Sequence, residues 1–304
     1  MSLVPPAEMA PTPDVPGAAD DVRRRLRGTT AILARLLRNP LSALGLVLLG
    51  LLIVGAVFAP LIAPYDPNGF DAAAKFMGPS SHHLFGTDDV GRDLFSRVLY
   101  GARYSLTAGV VILAIAACVG TVVGLVAGYA GGLVDEVLMR ITDMFLAFPA
   151  LILAMCVAAA LGPSLVNATL ATAIVWWPWY ARLVRGQVLQ LRNETFVSAA
   201  RLAGASRARI VFRHILPNCT TPIIVQMSLD LGYAILTLAA LSFIGLGAQP
   251  PTPEWGSMIA VGRDYYLTQW WYVTFPGIAI FISVLAANLV GDGLQEVLSP
   301  HLDQ

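Results

Sequence analysis

The sequence predicts an all-α polytopic membrane protein with about six transmembrane helices, and three observations carry that prediction. Hydrophobic residues make up 57% of the 304 residues and charged residues only 12%, where soluble domains carry roughly 25% charge. Six apolar runs recur at about the 20 residues that a helix needs to cross a bilayer. Arginine, finally, is concentrated in one of the two sets of connections between the runs, the asymmetry that orients membrane helices.

Residues 1–40 read as a tail and lead-in. Met1 to Asp21 holds Pro5, Pro6, Pro11, Pro13 and Pro16 without apolar periodicity, the pattern of a disordered segment. The basic run Arg23, Arg24, Arg25 and Arg27 follows that stretch, so the amino terminus does not read as a secretory signal. The first span runs from Leu41 to Ala63 and is followed by a loop over 64–104. A core over 105–293 holds the other five spans: Leu106 to Tyr129, Arg140 to Leu161, Leu165 to Leu183, Cys219 to Leu246 and Trp271 to Val290. Residues 294–304 form a second tail. Gly120, Gly124, Gly128 and Gly132 fall four apart on one helical face and predict a close helix-packing seam.

Orientation follows from the cations. Arg23 to Arg38, Arg140, and seven arginines from Arg182 to Arg213 lie on one side, whereas Lys75, Arg92, Arg97, Arg103 and Arg263 lie on the other. The rule places both termini and the connection from Arg182 to Asn218 in the cytoplasm, with 64–104 and 248–270 outside.

The cytoplasmic connection carries a long polar insertion, Glu194 to Asn218, in a very apolar chain. From Thr195 to Ala203 it has helix formers among small residues, and Gly204 offers the left-handed conformation that ends a helix. Ser206 is placed to N-cap a second short helix through Ile210, Val211 and Ile215 to Pro217. Two short helices meeting at a glycine make a knob for a cytosolic partner, and Ala199 and Ala200 allow close docking. An arginine-rich helix resting on lipid phosphates is the plainer reading, and it does not require the Ala-Ala-x-x-x-Gly spacing or the Ile215-Leu216-Pro217 exit.

With these residues together, the chain resembles the second permease subunit of bacterial dipeptide/oligopeptide ABC importers, a family that includes glutathione and nickel-chelate carriers. Further matches are Phe85 to Asp88 with Gly91-Arg92-Asp93, the run from Leu241 to Gly256, and Gly291 to Leu294. The resemblance implies a type I ABC importer permease fold in the bacterial inner membrane. It implies as partners a second permease subunit, two ATPase subunits that bind ATP and Mg, and an extracytoplasmic solute-binding protein, with no cofactor held by this chain. It also implies that the ATPase is gripped by Glu194, Phe196, Val197, Ser198, Ala199, Ala200, Arg201, Gly204, Ala205, Ile215, Leu216 and Pro217. Two positions depart from the family pattern: Ser198 stands where a glutamate is usual, and Leu238 replaces a common acid. Glu194, four residues before Ser198, supplies the missing charge if the helix starts early enough to put both on one face.

A nucleotide-binding loop needs lysine directly after glycine, and the one lysine, Lys75, follows Ala74. ATP is therefore expected to be bound by another polypeptide. The chain is not read as an enzyme, because an intramembrane enzyme would need paired aspartates, a Ser/His pair or His-Glu-x-x-His deep in the spans and the sequence has none of these. Asp88 and Asp89, with Glu254 and Trp255, are the candidate contacts for the binding protein, while Asp93 and Arg97 are spaced to pair as i and i+4. Asp230 is the deepest acid in any span and, with Trp176 and Trp179, a candidate for the translocation path; a hydrogen bond to a neighbouring helix serves Asp230 equally well, and interfacial anchoring suits the tryptophans. Arg140 and Asp143 suggest an interfacial pair. The histidines at 82, 83, 214 and 301 are too scattered for a metal site, and Cys118, Cys156 and Cys219 read as packing residues. No nucleic-acid footprint is evident. A secondary transporter should show internal repeats or a buried charge chain, and Asp230 alone supplies neither.

Overall fold

The computed structural model describes residues 32–298. The expected disordered tail, its basic run and His301 lie outside them. The described residues are mostly helical, with one long irregular segment over 63–93 and shorter connections elsewhere: α1 (described over 32–38), α2 (Pro40–Val57), α3 (Ala59–Ile62), α4 (Leu94–Ala130), α5 (Gly132–Leu146), α6 (Ala150–Leu161), α7 (Leu165–Leu191), α8 (Thr195–Leu202), α9 (Arg207–Ile210), α10 (Leu216–Phe243), α11 (Trp255–Gly262) and α12 (Trp271–Leu298).

Each predicted span falls on helix, but not all are straight rods. Four helical segments are long and apolar enough to cross a membrane: α2, α4, the continuous stretch from Arg207 to Phe243, and α12. The expected span from Arg140 to Leu161 is instead α5 and α6, bent by 88°. Pro149 explains the break, because proline lacks an N–H and forces the residue before it out of the helical region. Helix α7, 27 residues long, is not among the four. Packing against α4, α6 and α10 holds it in place.

The seam between α4 and α7 organises the bundle. A Cβ on Gly120 would lie 2.5 Å from the Trp177 carbonyl oxygen, one on Gly124 2.6 Å from that of Ala181, and one on Gly128 2.8 Å from Val188 Cβ. The expected glycine face therefore exists at three of its four positions. Gly132 departs from it: nothing lies within 4 Å, and its φ of +56° marks the turn into α5.

Helix α4 begins twelve residues before the predicted span. The Asp93 carboxylate caps it by accepting from Ser96 N at 2.8 Å, so at 37 residues it is about 55 Å long, more than a hydrocarbon core of about 30 Å requires. The excess carries the lobe formed by 64–93 and 244–270. Phe85 stacks on Phe275 with centroids 3.9 Å apart, and the Trp255 and Trp271 indoles donate to the carbonyls of Val98 and Thr87.

Candidate functional site

The residues expected to grip an ATPase gather at the opposite end. Helix α8 ends as predicted: Gly204 adopts φ +79°, a conformation that a side chain disfavours. The Ser206 hydroxyl caps the next helix by accepting from Arg209 N at 3.3 Å. That helix does not stop at Pro217. A single π-helical stretch, Val211–Ile215, joins α9 to α10. The wider turn accommodates a proline ring that would clash with the carbonyl four residues earlier in a regular helix. The turn is thus continuous with a transmembrane helix.

Burial divides this knob into two faces. Val197 and Ile215 are 0% exposed and Ile210 1%, all within the main apolar core, with Ala200 and Ala205 packed beside them. Phe196, Ser198, Ala199, Arg201 and Gly204 are exposed, as are Leu202 and Phe212 at 91% and 67%. Leu216 is half-buried and Pro217 exposed. Three apolar pins therefore fix a mixed exposed surface on which Ala199 and Gly204 lie among Phe196, Ser198, Arg201, Leu202 and Phe212.

Glu194 does not sit where the sequence suggested. Helix α8 begins at Thr195, and Glu194 is its N-cap in extended conformation with no side-chain cap bond. Its carbonyl accepts from Ser198 N at 3.1 Å, so the helix starts one residue too late for Glu194 itself to be helical. Leu238 is fully buried in the core, which explains an apolar residue there.

At mid-bundle, Asp230 Oδ2 accepts from the Tyr180 hydroxyl at 2.8 Å and Oδ1 from Gln226 Nε2 at 3.0 Å. The interhelical hydrogen bond, one of its two readings, is what forms. Trp176, 5% exposed, stacks on Tyr233, whereas Trp179 is 58% exposed. Both lie within two residues of the midpoint of α7. Asp143 pairs with Arg182 at 2.6 Å rather than with Arg140. Cys219 is buried as expected, but Cys118 and Cys156 are exposed and do not pack inside the chain.

The outer lobe corrects three of the four binding-protein contacts. Asp88, Glu254 and Trp255 are 0%, 1% and 0% exposed. The Asp88 carboxylate accepts from Val90 N, Arg92 N and Arg92 Nε at 3.0, 2.9 and 2.6 Å and lies 3.6 Å from Arg97 Nε. Arg97 also donates to the Pro67 carbonyl at 2.7 Å, and Asp93 meets His83 at 3.0 Å, so the expected Asp93–Arg97 pair does not form. Asp89 keeps a quarter of its side chain exposed while accepting from the Tyr272 hydroxyl at 2.8 Å.

Glu254 caps α11 through Gly256 N and Ser257 N at 3.0 and 2.9 Å and accepts from the Ser105 hydroxyl at 3.2 Å. Burial nevertheless raises its carboxyl above the usual carboxylate range. The folded state then binds this proton more tightly than the unfolded chain, so the contribution of Glu254 is fullest at low pH and is lost as pH rises through the folded value. Melting of the wild type and Glu254→Gln between pH 5 and 8 should show the wild-type advantage shrinking as pH rises. An advantage that grew with pH would mean that its donors keep the carboxylate ionised.

Residues 120–304, which include the knob and its continuous exit helix, match the family described as binding-protein-dependent transport system inner membrane component. The chain belongs to this family. Residues 30–79 separately match the N-terminal transmembrane domain of oligopeptide transport permease C. The chain is 51% identical over 262 residues to the probable D,D-dipeptide transport system permease protein of Escherichia coli (strain K12), covering 86% of this chain and 88% of that relative. It is 47% identical over 268 residues to a dipeptide transport system permease protein of Alkalihalophilus pseudofirmus, covering 88% of each. A glutathione transport system permease protein of Pectobacterium atrosepticum is 46% identical over 270 residues, 88% of this chain and 89% of the relative. These relatives are transport permeases rather than enzymes, and this chain is a multi-pass inner-membrane component of such a system.

Proposed function

We propose that this chain is the membrane-spanning subunit of an ATP-driven importer of di- or oligopeptides, paired with a second permease and served by an extracytoplasmic binding protein. Two ATPase subunits bind ATP and Mg and dock on the α8–α9 knob, with both termini on that cytoplasmic side. The observation that carries this reading is the attachment of the knob: Val197, Ile210 and Ile215 pin it to the core, and its second helix continues into α10. A push on the exposed alanines therefore moves a span as a rigid body, the requirement for alternating access.

Trp179 has the exposure that a translocation-path residue needs, while Asp230 and Trp176 are engaged with Tyr180 and Tyr233. Peptide is favoured over glutathione as cargo by the higher identity to the D,D-dipeptide permease. The assembled importer in proteoliposomes, given binding protein and labelled dipeptide, should accumulate dipeptide only with ATP. Uptake by this chain alone without ATP would overturn the assignment. In the same preparation Glu194→Gln tests whether its uncapped carboxylate meets the ATPase: peptide-stimulated hydrolysis should fall several-fold, and an unchanged rate removes Glu194 from the interface.

A further inference from the structure

A groove of about 720 Å3 opens between the last turns of α4 and the α8–α9 turn. We propose that it holds an anionic phospholipid, with the headgroup phosphate on Arg201 and Arg207 and an acyl chain along Val122 and Val126.

The two ends of the groove differ in chemistry. The α4 wall presents Val122 and Val126, 57% and 48% exposed, as part of the outward apolar surface of a membrane-spanning helix. The other end carries Arg192, Arg201 and Arg207, and among the described residues no carboxylate lines the groove. Arg192 is engaged, donating to the Gly128 carbonyl at 3.1 Å, where it satisfies the last turn of α4. The ion pairs among the described residues use neither Arg201 nor Arg207. Two exposed guanidiniums without an ion pair among the described residues, above an apolar trough on a membrane-spanning helix, match a molecule with a phosphate at one end and hydrocarbon at the other. A soluble anion would leave the valines bare, and a protein segment would need acids facing both arginines and an apolar stripe at membrane depth. The lipid would brace α8 against α4 and so stiffen the knob at the place where it must transmit force.

The test uses the assembled importer in detergent, titrated with phosphatidylglycerol or phosphatidylcholine and read by native mass spectrometry for lipid retained on this chain. Phosphatidylglycerol should be retained in preference to phosphatidylcholine. Arg201→Gln with Arg207→Gln should weaken that retention roughly tenfold or more, given the attraction of each basic group for an anionic headgroup. Val126→Trp, which leaves every charge in place and fills the trough, should weaken it comparably. Equal retention of the two lipids, retention unaffected by Val126→Trp, or displacement by glycerol phosphate would each overturn the proposal. So would retention by the permease alone that disappears when the ATPase subunits are present, because the groove would then belong to the protein interface.

Discussion

Gly124→Leu is expected to abolish the folded chain. A Cβ at this position would meet the Ala181 carbonyl at 2.6 Å, Val184 Cβ at 2.8 Å and Arg185 N at 3.0 Å, and two of these three atoms are backbone, which cannot rotate aside. The helices α4 and α7 would have to separate along their whole line of contact. Overpacking in a close-packed interior costs about 1–3 kcal/mol and more where nothing can yield. A glycine inside a helix is itself unfavourable by roughly 0.5–1 kcal/mol relative to alanine, so close packing is what makes three of them worth keeping here. The control is Gly186→Leu on α7, where nothing lies within 4 Å. Size-exclusion profiles of the two purified variants after a heat step should show Gly124→Leu aggregated and Gly186→Leu at the wild-type position. Equal profiles would refute the seam.

That seam was legible because it depends on a local period: glycines four apart define a face whatever lies opposite. Gly204 and Ser206 were legible for the same reason, since helix ends are set by one residue's backbone freedom or hydroxyl. The bend at Pro149 had its signal in the chain as well, but the length of the apolar run from Arg140 to Leu161 suggested a single helix. Asp88 could not be read in this way. A carboxylate in a polar loop normally reads as solvated, and what buries this one is a network in which Arg97 reaches towards the Pro251 carbonyl, 154 residues away in sequence. Glu254 and Trp255 are buried for the same reason: Ser105 and Val98, which they bond, lie on a helix about 150 residues earlier. Long-range partners of this kind convert apparent surface chemistry into framework. The ends of the two short helices in the cytoplasmic connection were open to no such error, because Gly204 and Ser206 act on neighbouring backbone within a few residues.

Ala199→Trp should stop transport while leaving the fold intact. Ala199 is exposed on α8, two residues from the buried Val197 that pins the helix, so an indole there meets solvent in the isolated chain. Its cost in helix propensity is well under about 1 kcal/mol. An ATPase cleft shaped for alanines would meet a side chain that its own packed surface cannot accommodate, and a misfit of several kcal/mol lowers binding by roughly 100-fold or more. ATP-driven dipeptide uptake by the reconstituted importer should therefore be lost, with the melting temperature of the purified permease unchanged. Ser198→Glu forms the informative contrast. It adds a carboxylate one position away, within i, i+3 reach of Arg201, and should leave uptake intact or raise it. Uptake that survived Ala199→Trp would mean that the alanine face is not what the ATPase holds, and the force would then have to enter α10 through the exposed Leu202 or Phe212 instead.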